Sequence, residues 1–230
     1  MYTAGYCGSH ESAQQCHLYS VLQAADGQVA RSAGAVRDER SSGISCGSIR
    51  RHVHLTQQAI DVLFGENLHE KSPLSQPGQY ASEERVRLVT AKGEIDNCGW
   101  FSGPPRGAVQ VEMSLTDARI LGITIPVNLS GDLKGAGRRD TCGTEGIYNA
   151  VGSVIASKAH IHMTPEDARL YGVEDGDSVA VRLETERPVT IDDVIIRVSE
   201  KFSLAMHMDY DEANACSYKK GDMGYIIKKN

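Results

Sequence analysis

The sequence predicts a mainly β fold: closed or nearly closed β-barrels with short capping helices, preceded by an N-terminal extension. Three observations carry this. From about residue 48 onward, short segments rich in Val and Ile alternate with polar residues and are punctuated by Gly, Asp and Pro. The helical stretches between them are brief, and many short strands joined by small helices close on themselves rather than spreading into an open α/β sheet. Residues 1–47 lack this pattern.

The elements follow in chain order. Leu18, Val21, Leu22 and Ala25 recur at helical spacing, a short amphipathic stretch. Residues 26–47, rich in Gly, Ala, Ser and Arg, read as a linker. Strands are expected at Arg85–Thr90, Ala108–Ser114, Ile123–Leu129, Val151–Ser157, Ser178–Glu184, Val189–Ser199, Leu204–Met208 and Met223–Ile227. Helices are expected at about 57–64, 116–121, 165–171 and 211–215. The turn Glu174-Asp175-Gly176-Asp177-Ser178 leads into a Val-rich strand.

Composition narrows the function classes. The chain has 230 residues, 40% of them hydrophobic, enough for a sizeable core in one large domain or two small ones. A net charge of −6 argues against a general binder of nucleic acid or anionic membrane, which needs a basic face. No apolar run reaches the roughly 18 residues of a membrane span. The opening MYTAGYCGSHESAQQC lacks a basic segment and an apolar core, so it does not read as a secretory signal. Cys7, Cys16, Cys46, Cys98, Cys142 and Cys216 are scattered without a CxxC pair, which suits reduced cytosolic thiols.

One unit recurs four times. It reads HVHLTQQAIDVLFG at 52–65, QVEMSLTDARILG at 110–122, HIHMTPEDARLYG at 160–172 and AMHMDYDEANA at 205–215. His54, Glu112, His162 and His207 share one column: a strand ends in a residue able to ligate a metal, then come a polar turn and a short helix. Thr164-Pro165 is a good helix start, with Thr as N-cap and Pro at the first helical position.

His52 and His54 lie two apart on an expected strand, as do His160 and His162, so each pair points to one face. Two neutral imidazoles on one face can converge on a metal ion. With His207 and Glu112 the set is five His and one Glu, which suits zinc or a similar divalent ion with positions left open for water or substrate. A lone strand-end His is ordinarily a surface or core residue; it is the repeat that joins these. His10, His17 and His69 lack the setting and read as surface residues.

Arg106 sits in the rigid turn Gly103-Pro104-Pro105-Arg106-Gly107, six residues before Glu112. It is either a solvated turn residue or a guanidinium able to hold an anion through two parallel hydrogen bonds. The loop Ser130-Gly131-Asp132 could offer a hydroxyl and backbone N–H groups to a ligand. Cys98 and Cys142 have no neighbouring His, so nothing supports a thiolate nucleophile.

RHVHLT (51–56), LSQPGQYASEE (74–84), GPPRGAVQVEMS (103–114), LSGDLKG (129–135), HIHMTPEDARLYGVEDGD (160–177) and MHMDYDEANA (206–215) resemble the phosphate propanoyltransferase (phosphotransacylase) family over roughly residues 48–230. The resemblance implies two β-barrel domains: a mainly central barrel at 48–157, and a C-terminal barrel at 158–230 completed by the strand near 41–50. It implies reversible conversion of acyl-CoA, propanoyl or acetyl, and phosphate to acyl phosphate and coenzyme A at a dinuclear zinc site. Carried over residue by residue, His52, His54 and Glu112 hold one zinc, and His160, His162 and His207 hold the other. Arg106 takes the place of the family's phosphate-holding, catalytic arginine, and Ser130 that of the serine of its Ser-Gly-Asp loop. Ala159 and Asn128 stand where the family pattern has arginines, which removes positive charge near the anion site.

The partners implied are acyl-CoA and phosphate, with a homodimer left open. Residues 1–47 resemble in layout the extensions that direct such enzymes to shell or lumen proteins of bacterial microcompartments in the cytoplasm. Two other readings compete: a zinc-dependent thioester hydrolase, and a non-catalytic shell-associated protein whose metals staple two barrels together.

Overall fold

The computed structural model describes residues 43–48, 51–65, 67–74, 76–98, 100–142 and 145–227. The chain divides between Glu39 and Arg40, and every described residue belongs to the second unit. The amphipathic stretch at 18–25 and most of the linker lie outside the described residues.

The elements run β1 (Ile44–Ser48), β2 (His52–His54), α1 (Gln57–Phe64), β3 (Glu70–Pro73), β4 (Tyr80–Ser82), β5 (Val86–Val89), β6 (Glu94–Cys98) and β7 (Trp100–Gly103). Then come β8 (Gln110–Met113), α2 (Leu115–Ile120), β9 (Val127–Asn128), β10 (Gly137–Cys142), β11 (Ile147–Ser157), β12 (His160–Met163) and α3 (Pro165–Tyr171). The chain finishes with β13 (Ser178–Leu183), β14 (Val189–Val198), β15 (Ala205–Met208), α4 (Tyr210–Ala215) and β16 (Met223–Ile227).

The fold is mainly β, as expected. Six strands close a barrel in the order β1-β15-β12-β14-β13-β16, with β16 returning to β1. Its core holds Ile161, Ile196, Met206, Val181 and Leu183. Gly224 is required there: a Cβ would come within 2.9 Å of Val181 Cγ1 and 3.1 Å of Cys46 Sγ. The second sheet runs β3-β4-β7-β2-β8-β11-β10-β5-β6, with β9 beside β11. Its end strands do not pair with each other, so it curls into a half-barrel and stays open. Val53, Val111, Met113, Val154 and the α1 residues Ile60 and Leu63 fill its concave core.

The four repeat units take one local structure. Thr56, Ser114, Thr164 and Asp209 are N-caps with extended backbone. Each side chain accepts the N–H three residues on, at 3.2, 3.1, 3.1 and 2.8 Å, removing an orphan donor of the first turn. The residue six after each ligand column (Ile60, Ala118, Ala168, Ala213) is buried.

Several strands have no sequence signal. β3 (EKSP) and β10 (GRRDTC) carry almost no apolar alternation and are strands because neighbours supply their hydrogen bonds. The segment 123–129 shows only the two strand residues of β9. β11 starts four residues earlier than expected, in an exposed hairpin with β10. Among the described residues, no helix is long and apolar enough to cross a membrane.

Candidate metal and anion site

Alternation decides what faces the site. In the closed barrel Ile161, Ile196 and Met206 point into the core, so their neighbours His160, His162, Arg197 and His207 lie on the opposite, outer face. In the half-barrel Val53, Val111 and Val154 point into the core, so His52, His54, Gln110 and Glu112 lie outside it. His54, Gln110, Glu112, His160 and His162 are nevertheless buried.

Register completes each trio. One strand offers two same-face ligands, and the third comes from the antiparallel neighbour. His52 pairs with Glu112 across β2 and β8, and His160 pairs with His207 across β12 and β15. The structure thus brings together all six residues that the sequence selects as metal ligands, in two groups of three. Each group feels the other: Glu112 and His52 both influence the titration of His160 and His207.

The ligand atoms of His52, His54 and Glu112 lie within 4.8 Å of one another. Glu112 Oε1 is 3.4 Å from His52 Nε2 and 3.7 Å from His54 Nε2. Two ligand atoms on one tetrahedral zinc stand about 3.3 Å apart, so this spacing fits. In the second trio, ring centroids are 4.8 Å (His160–His162), 5.1 Å (His160–His207) and 4.8 Å (His162–His207) apart.

The chemistry of the donors fits a cation as well. Burial lowers the pKa of His54 to about 4 and of His207 to about 3, and lowers those of His160 and His162. All four are neutral near pH 7 and have lone pairs to give. His160 Nδ1 stands 2.8 Å from the Lys158 carbonyl, which fixes the N–H there and leaves Nε2 as the ligand atom. Both His162 ring nitrogens are buried without a hydrogen-bond partner. Burial pushes the Glu112 carboxyl up, but His52 and His54 outweigh this and hold it well below the usual range. An ionised carboxylate 1% exposed, with no Lys or Arg ion pair among the described residues, calls for a cation.

Arg106 is at the rim, in the loop between β7 and β8. Its backbone N–H donates to the Leu55 carbonyl at 2.8 Å, tying the loop beside His54. Partial enclosure of its guanidinium lowers its pKa; Glu112 opposes this and Arg197 adds to it. Ser130 is reached through Gln110, whose amide donates to Ser130 Oγ at 2.9 Å and accepts from the Gly131 N–H at 2.8 Å. The same amide donates to Glu112 Oε1. One buried glutamine therefore joins the Ser-Gly-Asp loop to the carboxylate of the first trio.

Sequence reasoning missed Gln110, although it stands two before Glu112 and so shares its face. It also missed Gln76. That side chain clamps both backbone groups of Ser203, at 3.3 and 3.2 Å, and its Nε2 lies 3.4 Å from His207 Nε2. Phe202 stacks on His162 at 4.0 Å. No periodicity marks Gln76 or Phe202, because loops place both. His69 is an exposed residue paired with Glu84 at 2.7 Å, away from the trios in sequence and sheet position. Cys46 is buried with its pKa raised to about 12, and Cys216 is buried with its pKa raised, so neither is a ready nucleophile.

Comparison with known proteins places the chain in a family. The family model for phosphate propanoyltransferase matches residues 45–219. A phosphate propanoyltransferase of Alkaliphilus metalliredigens is 47% identical over 77% of this chain and 84% of its own length. One of Clostridioides difficile is 45% identical over 84% of this chain and 93% of its own. One of Thermotoga maritima is 46% identical over 82% and 91%. The protein is an acyltransferase. It belongs to the phosphate propanoyltransferase family.

Proposed function

We propose that this chain interconverts acyl-CoA and acyl phosphate at a site holding two divalent ions, with zinc favoured by the five-His, one-Glu donor set. The observation that carries the reading is the pair of trios on the outer faces of barrel and half-barrel, four of their six residues buried and His52 and His207 half-buried, with Arg106 at their rim. When bound, the ions supply Lewis-acid charge for carbonyl and phosphate oxygens. His52, His54 and Glu112 hold one of them, and His160, His162 and His207 the other. The Arg106 guanidinium holds phosphate through two parallel hydrogen bonds and orients one oxygen toward the thioester. The Ser130 loop lines the substrate side, held there by Gln110.

In the forward direction an oxygen of hydrogen phosphate attacks the thioester carbonyl carbon. The C–O bond forms, the C–S bond breaks, and the proton of hydrogen phosphate leaves with the coenzyme A sulfur. Holding two anionic reactants in register contributes up to ~7–11 kcal/mol in favourable cases. No covalent enzyme intermediate is needed. Propanoyl and acetyl chains are the substrates of first choice.

The test is thiol release from propanoyl- and acetyl-CoA by metal-replete protein, with and without phosphate. Release that requires phosphate and yields acyl phosphate supports the reading. Release without phosphate identifies a thioester hydrolase; no release with tightly held metal identifies a metal-stapled scaffold. Elemental analysis should find close to two zinc ions per chain. Arg106→Ala should raise the phosphate requirement and leave the metal content unchanged.

We also infer that residues 1–47 serve packaging into a microcompartment lumen, through the stripe Leu18, Val21, Leu22 and Ala25. Deleting residues 1–39, which stop short of the barrel strand β1, should leave specific activity unchanged, and a fluorescent protein fused to the same residues should co-localise with the compartments. A diffuse fusion signal refutes this.

A further inference from the structure

The register of the closed barrel puts a second arginine on the site face. β12 and β14 run parallel, with His160 opposite Ile195 and His162 opposite Arg197. Residues opposite each other in a ladder project to the same face, so Arg197 stands beside His162 on the outer wall. Packing agrees: Phe202 stacks on His162 with ring centroids 4.0 Å apart, and Arg197 Cζ lies 5.9 Å from the Phe202 centroid. Half-buried Arg197 makes no ion pair with a carboxylate among the described residues. Its charge also reaches Arg106, whose pKa it lowers.

The fate of the two substituted positions sharpens the point. Ala159 is packed in the barrel core, 3% exposed, and carries no charge. Asn128 uses its amide to hold the Asp132 and Lys134 carbonyls at 3.0 and 2.9 Å. Neither brings positive charge to the site. Arg106 and Arg197 do, one from the loop before β8 and one from β14.

We propose that Arg197 is a second anion-holding residue, which with Arg106 brackets the phosphate group that attacks the thioester; this rests on the phosphate-dependent acyl transfer proposed above. A phosphate dianion matches two guanidiniums in charge and offers each a pair of oxygens. The thioester carbonyl carries no formal charge before attack and has no such need. Phe202 fixes Arg197 by lying under its guanidinium, so the fork is oriented before substrate arrives.

Two variants test this in the thiol-release assay. Arg197→Met keeps a stem over Phe202 and removes the charge; Arg197→Lys keeps the charge and removes the fork. The KM for phosphate should rise roughly 10- to 100-fold in Arg197→Met and several-fold in Arg197→Lys, from the strength of one charged hydrogen-bonding group. The KM for acyl-CoA should stay within about threefold, and zinc content should not change. Phosphate should raise the melting temperature of the wild type and lose most of that effect in Arg197→Met. An unchanged phosphate KM in both variants overturns the proposal, as does a rise confined to acyl-CoA, which would assign Arg197 to coenzyme A. If wild-type thiol release ignores phosphate, the acyl-transfer reading falls together with this one. If the wild type requires phosphate and the variants do not differ from it, only the role of Arg197 falls.

Discussion

Glu212 should make the fold lose stability as the pH rises, and Glu212→Gln should abolish that loss. Glu212 is the third residue of α4, directly after the strand that carries His207. Its Oε2 accepts the Asp209 N–H at 2.9 Å while Asp209 Oδ1 accepts the Glu212 N–H at 2.8 Å, a reciprocal cap. Burial raises its pKa from 4.5 to about 7; the Asp209 N–H opposes the rise, and the charges of Asp209 and Asp211 add to it. The folded protein therefore holds this proton more tightly than the unfolded chain. Stability is greatest below the unfolded value, falls as pH climbs from 4.5 to about 7, and is level above.

Moving this pKa from 4.5 to about 7 corresponds to roughly 3.4 kcal/mol. A carboxylate at a helix N-terminus recovers about 0.3–1 kcal/mol from the backbone dipoles. That leaves about 2–3 kcal/mol. Glutamine keeps the carbonyl oxygen that accepts the Asp209 N–H and never ionises. Glu212→Gln should thus gain about 2–3 kcal/mol near pH 8 and nothing near pH 4. Urea unfolding of both proteins at equal zinc loading measures this, and subtracting wild type from variant at each pH cancels the pH dependence of metal binding. A variant no more stable than wild type near pH 8 would show that the helix field outweighs burial. An equal gain at both pH values would mean packing, not ionisation, and would also refute the reasoning.

Three further outcomes are expected. Gln110→Met, close in shape but without polar atoms, should destabilise by about 2–4 kcal/mol through the Glu112 and Gly131 partners it abandons, and should lower zinc affinity; calorimetry and metal titration check both. Gly93→Ala places a Cβ 2.8 Å from the Ile120 carbonyl oxygen, a backbone atom that cannot swing away, and should cost about 1–3 kcal/mol in denaturant unfolding. Chelation should lower the melting temperature, since an ion present at 1,000 times its Kd contributes about 4 kcal/mol; scans with and without chelator, then with zinc restored, check this.

Most of the fold that positions the trios was legible, because regular strands and capped helices announce themselves locally. Helices 57–64 and 165–171 have the boundaries expected from their caps and periodicity. The strands bearing His160 and His207 follow from their alternation. β3, β6, β7 and β10 were not legible, since their strand character comes from partners distant in the chain. The same limit applies within the site. His52 with His54 and His160 with His162 are visible as i, i+2 pairs. Arg197 is not, because its place beside His162 is fixed by a parallel pairing between residues 35 positions apart in the chain.

The repeat explains why the six ligand-type residues could be found without knowing the sheets. A strand can aim two side chains at one ion, at i and i+2, and no more before its length carries the next one out of reach. A third donor must come from the neighbouring strand, at the position in register. Here His52 faces Glu112 and His160 faces His207, and each facing pair joins two copies of the same strand–cap–helix unit. The cap lies two residues past the final ligand column in all four units, so strand end and helix start are fixed relative to each other by the same hydrogen bond each time. A ligand on such an end has little freedom to drift, which is what a multi-donor site demands. The differences between the two strand pairs are then the informative ones. Opposite His54 stands Gln110, which binds the Ser130 loop and Glu112; opposite His162 stands Ala205, which binds nothing and leaves room against the ring. One trio is tethered by a polar network and carries a negative charge, while the other is neutral, walled by Phe202 and adjacent to Arg197. Two pairings built from one scaffold unit thus present chemically unlike faces.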